Sequence, residues 1–538
     1  MNLYTPFILK CTPKVLTQVD RDKHSRTYGC CDRNFWHLKI RDFSSAILQQ
    51  TGLTMALLYL NDFDGNIFYK DSRVRSWAEA SVYFWKKIQL RDGSFNEYYP
   101  NEHGFPPTAF SLYSSCEVYK RLNMQDPDLI KAFNRTGNYL INHIEPKAYN
   151  QELASITALY SLYTITGEKW VLDGLNKKLE RILNLQSPEG WFSEYEGADI
   201  GYLSVSLDML AEYYWMSKNT RVLEPLNQII SFIKYFIHPN HTAGGEYASR
   251  NTTYFLPNGL EVMIQLGNPD ALAIKNFLFE NSGKIGFFMD AVDDRYCSHY
   301  LLHSFLRALE KEKTVPFSAT PLPFSSPQEI FFKDSGHMVK TISCGSDIIY
   351  IIIAAKKGGM FCTWKNDQSS ICDFGYRVNY GKGNIAVTNW QDNSYEVQYS
   401  DGRLIISGFF NEVSLKVPSP ILHLGLRVLS AVLGNKIIGF LKKKIILVNK
   451  HSKIHFQRTI EIKDNKLIIN ESIESPVPVS VEAADNFSAR HVASGKFYSI
   501  MDMAPHDTAI YHNIRILKLV KEYDLISTDF TYTILKKL

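Results

Sequence analysis

Three loops in the first half of the chain place a glutamate beside a tyrosine. Gly93-Ser94-Phe95-Asn96-Glu97-Tyr98 matches Gly190-Trp191-Phe192-Ser193-Glu194-Tyr195, and Gly245-Glu246-Tyr247 is a shorter copy followed by Tyr254. Gly104-Phe105 follows the first loop at the interval at which Gly201-Tyr202 follows the second. Glu97, Glu194 and Glu246 offer the paired carboxylates that glycoside hydrolysis uses. The plainer reading is that they cap or bridge neighbouring loops. His103, in the first loop only, is either a proton donor or a surface histidine. Tyr202 carries a phenol, which with its ordinary pKa near 10 is a poor base at neutral pH unless a cation stands beside it. Arg250 is the candidate cation. Asn150 stands just before a predicted helix, where it suits either an N-cap or an amide aimed at developing negative charge. His299 and His303 are four apart, like two ligands on one helix face, but no HExxH surrounds them and packing is the simpler reading.

The elements that must position these groups change character once along the chain. From about Asp42 to Glu310 the apolar spacing is helical. Val222, Leu226, Ile229, Ile230, Ile233 and Ile237 form one stripe of a helix with a wet opposite face. Gln151 to Thr166 and Gly201 to Met216 are apolar nearly all round, as in helices covered on both sides. Half-wet helices alternating with buried ones predict two concentric layers, an (α/α) toroid over residues 1–312, with the repeated loops on one rim. Residues 313–328 contain Pro316, Pro321, Pro323 and Pro327 and read as a linker. Beyond it Ile349 to Ile353 is a β-rich run. Thr459 to Ile462, a turn at Lys463-Asp464-Asn465-Lys466, and Leu467 to Ile469 make a hairpin. The fold class expected is therefore multidomain, α then β: an N-terminal (α/α) toroid followed by a C-terminal antiparallel β-sandwich over residues 329–538. An insertion at about 419–448 interrupts the sandwich. From Ile421 to Val448 it is apolar, with His423, Arg427, Lys436 and Lys442 to Lys444 and no acid. It reads either as a buried helix plus a strand or as a basic amphipathic segment in a membrane interface.

Composition bounds the partners. A net charge of +4 on 538 residues is too small for a nucleic-acid stripe and compatible with an anionic glycan or membrane surface. The 31 Tyr, 32 Phe and 8 Trp can stack on sugar rings, although core packing accounts for most. Eight Cys without a CxxC pair read as free thiols in a reducing compartment, and no zinc knuckle is expected. The first residues lack a basic stretch leading into a long apolar run, and no 18-residue apolar segment occurs. The expectation is a cytoplasmic protein, at most peripheral at the inner membrane.

Tyr149-Asn150-Gln151-Glu152, the loop Gly190 to Tyr202, Arg250-Asn251-Thr252, Asp293-Asp294-Arg295-Tyr296 and Asp334-Ser335-Gly336-His337 together resemble the heparinase II/III-like superfamily. That group joins an α/α toroid to a β-sandwich, includes polysaccharide lyases, and is similar in architecture to dermatan sulfate epimerases. Tyr28 to His37 is similar to a branch associated with bacterial surface-polysaccharide clusters. The resemblance implies an enzyme on an acidic polysaccharide or lipid-linked glycan. Such an enzyme removes the proton at C5 of a uronate, followed by β-elimination or epimerisation. It implies Asn150 on the substrate carboxylate and Tyr202 on the proton, with Gln151 where some relatives have His. Glu194, Arg250, Asn251 and His103 would contact substrate. The chain departs from the family at Lys356-Lys357-Gly358-Gly359, where a His-rich turn is expected before Asp373-Phe374-Gly375. Lys356 or Lys357 would then close the cleft from the sandwich. No cofactor is expected; some relatives hold a structural zinc, but no His/Asp cluster here supports one. A non-catalytic glycan-binding protein and a hydrolase stand as rivals.

Overall fold

The computed structural model describes residues 2–381, 383–413, 419–434, 450–484, 497–498, 508–526 and 532–537. Its first part is helical and its second part is built of sheets. Thr51–Leu60, Phe105–Arg121, Tyr149–Thr166, Ile200–Ser217, Asn258–Gln265 and Leu302–Lys311 are successive inner helices. Each packs against the next, and Leu302–Lys311 packs back against Thr51–Leu60. Tyr149–Thr166 and Ile200–Ser217 are buried almost all round, which is why they show no apolar stripe. Pro127–Asn142, Lys169–Leu183 and Leu223–Ile233 lie outside them and bury one face each. Local chemistry sets their ends. Asp126 accepts from the Asp128 and Leu129 amides ahead of Pro127, and Gly167, at φ 65°, stops Tyr149–Thr166.

The inner helices share a buried ionic network. Arg307, fully buried, pairs with Asp208 at 2.6 Å and Glu212 at 3.2 Å. Lys311 reaches Glu212 at 3.0 Å and donates to Asn258 at 2.9 Å. Charges so far from water are tolerated only when paired. The network fastens Ile200–Ser217, Asn258–Gln265 and Leu302–Lys311 together.

The second part holds a five-stranded antiparallel meander (Gln328–Phe332, His337–Cys344, Asp347–Ala354, Met360–Lys365, Gln368–Asp373) and an eight-stranded sheet. The run Asp347–Ala354 explains how they stack. Ile349, Ile351 and Ile353 join a core with Leu404, Ile406, Ile460 and Ile469 of the large sheet. Tyr350, Ile352 and Ala354, on the opposite face, join the core of the helical part. Tyr350 also donates its hydroxyl to the Tyr235 carbonyl at 2.5 Å. A strand covered on both faces has no polar alternation to show. The hairpin pairs Ile460 with Ile469 and turns through Asp464 and Asn465, both at positive φ, as a two-residue loop requires. Asp373 lies in the sheet core, held by Arg458 at 3.0 Å, the Tyr523 hydroxyl at 3.1 Å and the Gly375 amide at 2.8 Å.

Helix Pro420–Leu433 leaves the large sheet with Ile421, Leu422, Leu424, Val428 and Val432 exposed. The buried-helix reading of this stretch is therefore corrected for the described part. Its contacts with the helical part include Arg427 to Asp42 at 2.6 Å and the Ser430 hydroxyl to the Pro100 carbonyl at 3.0 Å. Residues 435–448 of the expected amphipathic segment lie outside the described residues. Among the described residues no helix is long and apolar enough to cross a membrane. None of the eight cysteines forms a disulfide among the described residues.

Candidate active site

The repeated loops exist for a packing reason that also delivers their glutamates. Gly93 and Gly190 take φ 91° and 102°, and a Cβ on either would meet a backbone carbonyl of an outer helix, Arg135 or Gln228, at 2.3 and 2.2 Å. Only glycine fits such positions. Phe95 and Phe192 are then buried, and the next acid turns inward: Glu97 and Glu194 are 3% and 2% exposed. Each meets an arginine at 2.6 Å, Glu97 with Arg295 and Glu194 with Arg250. The expectation that these acids bridge loops fits both. Glu246 is also buried.

Around Glu194 the structure gathers most of the residues singled out by sequence. Ala148 and Glu194 form an antiparallel bridge, with the Tyr149 amide donating to Ser193 and the Tyr195 amide to Lys147. That bridge starts helix Tyr149–Thr166, so Ala148 holds the cap position and Asn150 lies one residue inside the helix. The N-cap reading of Asn150 is corrected: its side-chain amide donates to Glu194 instead. Gln151, beside it, is 9% exposed and its Oε1 is buried without a hydrogen-bond partner. Asp199 caps helix Ile200–Ser217 by accepting from the Tyr202 amide at 3.0 Å, and its other oxygen accepts from the Arg250 amide at 2.9 Å. One carboxylate thus sets both the Tyr202 helix and the Arg250 loop. Sequence reasoning passed over Asp199, although an aspartate just ahead of an apolar helix is a cap signal.

The Arg250 guanidinium lies between three groups. It donates to Glu194 at 2.6 Å and to the Tyr202 hydroxyl at 3.4 Å, and it sits 4.9 and 4.7 Å from the Tyr195 and Tyr202 ring centres. These are cation–π distances. Tyr202 packs edge-on against Tyr254, which shares a hydroxyl contact of 2.9 Å with Tyr300, and Tyr296 hydrogen-bonds the Tyr202 phenol. Tyr300 lies on one turn of π-helix, Cys297–Leu301. Tyr195, Tyr254, Tyr296 and Tyr300 complete the tyrosine wall; of these, Tyr195 and Tyr296 lay in motifs that resemble the family's.

Burial dominates the titration here. It pushes the Tyr202 phenol up to about 12, opposed by Arg250. It pushes the Glu194 carboxyl up to about 8, again opposed by Arg250 and reinforced by Asp199 and Glu145. At pH 7 a carboxyl with a pKa of about 8 is mostly protonated, so the Arg250 charge is not cancelled.

The sheet part contributes by fixing this loop rather than by facing an open cleft. Lys357 is 3% exposed, and its ammonium donates to the carbonyls of Glu246 and Ala248 and to Asn251 Oδ1, the last at 2.7 Å. Asn251, at φ 58° and buried, is thus a brace behind Arg250. Lys356 donates to the Asp334 carbonyl at 2.6 Å, on the exposed edge. His337 is buried, bonded to the Tyr247 carbonyl and Ser335, and burial lowers it to about 4. Gln391 covers Gly197, where a Cβ would meet it at 2.9 Å, and Asn393 donates to the Glu196 carbonyl at 2.8 Å. His103 lies apart from Glu194 and is held by Asp92 at 2.6 Å and Ser94 at 2.9 Å. Among the described residues no group of three or more His, Cys, Asp and Glu is placed to hold a metal. His303 bonds Gln50 at 3.2 Å, so the His299/His303 pair is divided between packing partners.

No protein-family model matches the chain, and no curated protein matches it. Among solved structures it is similar to heparinase III, at 10% identity over 90% of this chain and 81% of that chain, with a TM-score of 0.45. It is similar to a chondroitin AC lyase mutant of Streptomyces coelicolor, at 9% identity over 90% and 71%, with a TM-score of 0.49. It is also similar to a sugar epimerase from a ruminal bacterium, at 14% identity over 58% and 100%, with a TM-score of 0.45. Both lyase comparisons extend over nine-tenths of this chain.

Proposed function

We propose that the chain is an enzyme of uronate-containing glycans that removes the C5 proton and eliminates the C4 oxygen. The observation that carries this reading is the position of Arg250, which joins Glu194 to the Tyr202 phenol while Asn150 reaches the same Glu194. The C5 proton is weakly acidic, and its loss puts charge onto the substrate carboxylate. Asn150, Arg250 and a protonated Glu194 are three donors for that charge. Tyr202 takes the C5 proton as the C4–O bond breaks and returns it to the leaving oxygen, so its protonation is unchanged over the cycle. The Arg250 charge beside the phenol offsets part of the cost of the phenolate. Return of the proton to C5 from the opposite face would instead give epimerisation. In this reading the ring of inner helices is an α/α toroid, the stacked sheets are its β-sandwich, and Asn251 and Lys357 brace the arginine.

Incubation with a panel of uronate polysaccharides in D₂O, followed by ultraviolet absorbance and NMR, tests the proposal. A C4–C5 double bond that forms with wild type and not with Tyr202→Phe is the expected result. Deuterium at C5 without cleavage selects the epimerase, and saturated products select a hydrolase. Saturable binding with no turnover across the panel selects a non-catalytic glycan-binding protein.

A finer reading places the enzyme at an anionic membrane, on lipid-linked glycans of surface-polysaccharide synthesis. It is supported by the exposed apolar residues of Pro420–Leu433 and by the absence of acids from Ile421 to Val448. Deleting 421–448 should abolish binding to vesicles containing anionic lipid; a folded deletion variant that still binds them would sink this reading.

A further inference from the structure

Two segments singled out in the sequence, Tyr28 to His37 and Asp293 to Tyr296, are far apart in the chain and meet across a pocket of about 570 Å³. Its walls carry Arg33 and Arg41 on one side and Arg295 on the other. The pocket also contains acids, but each is already engaged. Asp32 accepts from the Asn34 and Ser45 amides at 3.1 and 2.9 Å. Asp293 caps the Tyr296 amide at 2.9 Å, Asp294 accepts from Gln18 at 3.2 Å, and Asp290 pairs with Lys10 at 2.6 Å.

Arg33 and Arg41 are not matched in the same way. Among the described residues no carboxylate pairs with Arg33. Arg41 comes only within 3.8 Å of Asp32, and its Nη1 is buried without a hydrogen-bond partner. A buried guanidinium nitrogen lacking an acceptor is costly unless a ligand supplies one. Arginine forks suit planar or tetrahedral oxyanions. The pocket wall connects to the candidate site through residue contacts. Arg295, on its wall, pairs with Glu97 and lies 5.1 Å from the Tyr98 ring centre, and its neighbour Tyr296 touches Tyr202.

We propose that this pocket is a second anion site, in which Arg33 and Arg41 take a carboxylate or sulfate group of a sugar several units from the one at Tyr202. The proposal rests on the uronate reading of the catalytic site and adds to it a requirement for chain length and for a second charge.

The test is equilibrium binding by the Tyr202→Phe protein, which should hold glycan without turning it over. The probes are a uronate–hexosamine disaccharide and hexasaccharides of the same backbone with and without O-sulfate. Arg33→Gln and Arg41→Gln should each weaken hexasaccharide binding about tenfold, the loss of one charge-assisted contact. Disaccharide binding should be unchanged. A loss confined to the sulfated hexasaccharide assigns the pocket to sulfate; an equal loss for both assigns it to carboxylate. Arg33 is half-exposed without a partner, so its variant keeps the test open if Arg41→Gln misfolds. Hexasaccharide affinity that is unaffected by Arg33→Gln, or that falls in step with the disaccharide, overturns the pocket alone. No binding of any probe overturns the uronate reading beneath it.

Discussion

Glu194→Gln keeps the shape of the side chain and removes its titration. In the folded chain burial holds this carboxyl at about 8, against an ordinary value of 4.5. That separation corresponds to roughly 5 kcal/mol at 1.36 kcal/mol per pH unit. The sign follows from proton counting. Below pH 4.5 both states carry the proton and the residue contributes nothing to pH dependence. Between 4.5 and 8 the folded state holds a proton that the unfolded state has lost, so stability falls as pH rises, and above 8 the full penalty is present. Measured by urea denaturation, wild type should lose about 4 kcal/mol relative to Glu194→Gln between pH 5 and pH 8.5. Other titrating groups, Glu102 among them, are common to both proteins and cancel in the difference. In turnover, the ratio of wild-type to variant kcat/KM should fall about tenfold from pH 7 to pH 9 as Glu194 ionises, since the Tyr202 titration is common to both. A stability difference that stays within about 1 kcal/mol across this range would refute the protonated Glu194 and the carboxylate-binding role built on it.

Tyr202→Phe should lower kcat at least about 100-fold and leave the melting temperature nearly unchanged, because the ring packing on Tyr254 survives; residual activity near wild type would remove Tyr202 from the proton path. Lys357→Met should cost about 3 kcal/mol by removing the buried donor that three oxygens share and should raise KM by loosening the Arg250 loop, read by denaturation and steady-state kinetics. Arg307→Met should cost about 3 to 5 kcal/mol, since Asp208 is left buried without its cation; calorimetry at neutral pH checks it. Gly190→Ala should destabilise by more than about 2 kcal/mol, because its positive φ and its contact with the Gln228 carbonyl both exclude a Cβ.

Helices covered on every side announced themselves by lacking a stripe, as Tyr149–Thr166 and Ile200–Ser217 do, and the hairpin at Asp464-Asn465 by its turn residues. These are local properties, fixed by neighbours in the chain. The choice between cap and amide donor for Asn150 stayed open in the sequence because the bridge that starts its helix is made by Glu194, which no spacing near Asn150 reveals. Lys357 resembled a cleft residue in sequence because its role depends on three oxygens more than a hundred positions away. Tyr195, Tyr254 and Tyr296 stood in the motifs, but their meeting around Tyr202 was not legible, and Tyr300 carried no signal of its own in so aromatic a chain. Glu97 and Glu194 were legible as a repeat, and Arg250 and Arg295 as motif residues, but their pairing was not, because it joins positions 56 and 198 residues apart.

The strand Asp347–Ala354 has a further consequence for how the molecule comes apart. Its even- and odd-numbered residues belong to two different cores, so neither core can melt without stripping one side of the same strand. Heating should therefore give a single cooperative transition rather than one for helices and one for sheets. The separated helical part would present the apolar patch that Tyr350, Ile352 and Ala354 now cover, and would aggregate. The site around Arg250, braced from the sheet by Lys357, would be lost in that same event, which makes loss of activity a direct gauge of global unfolding.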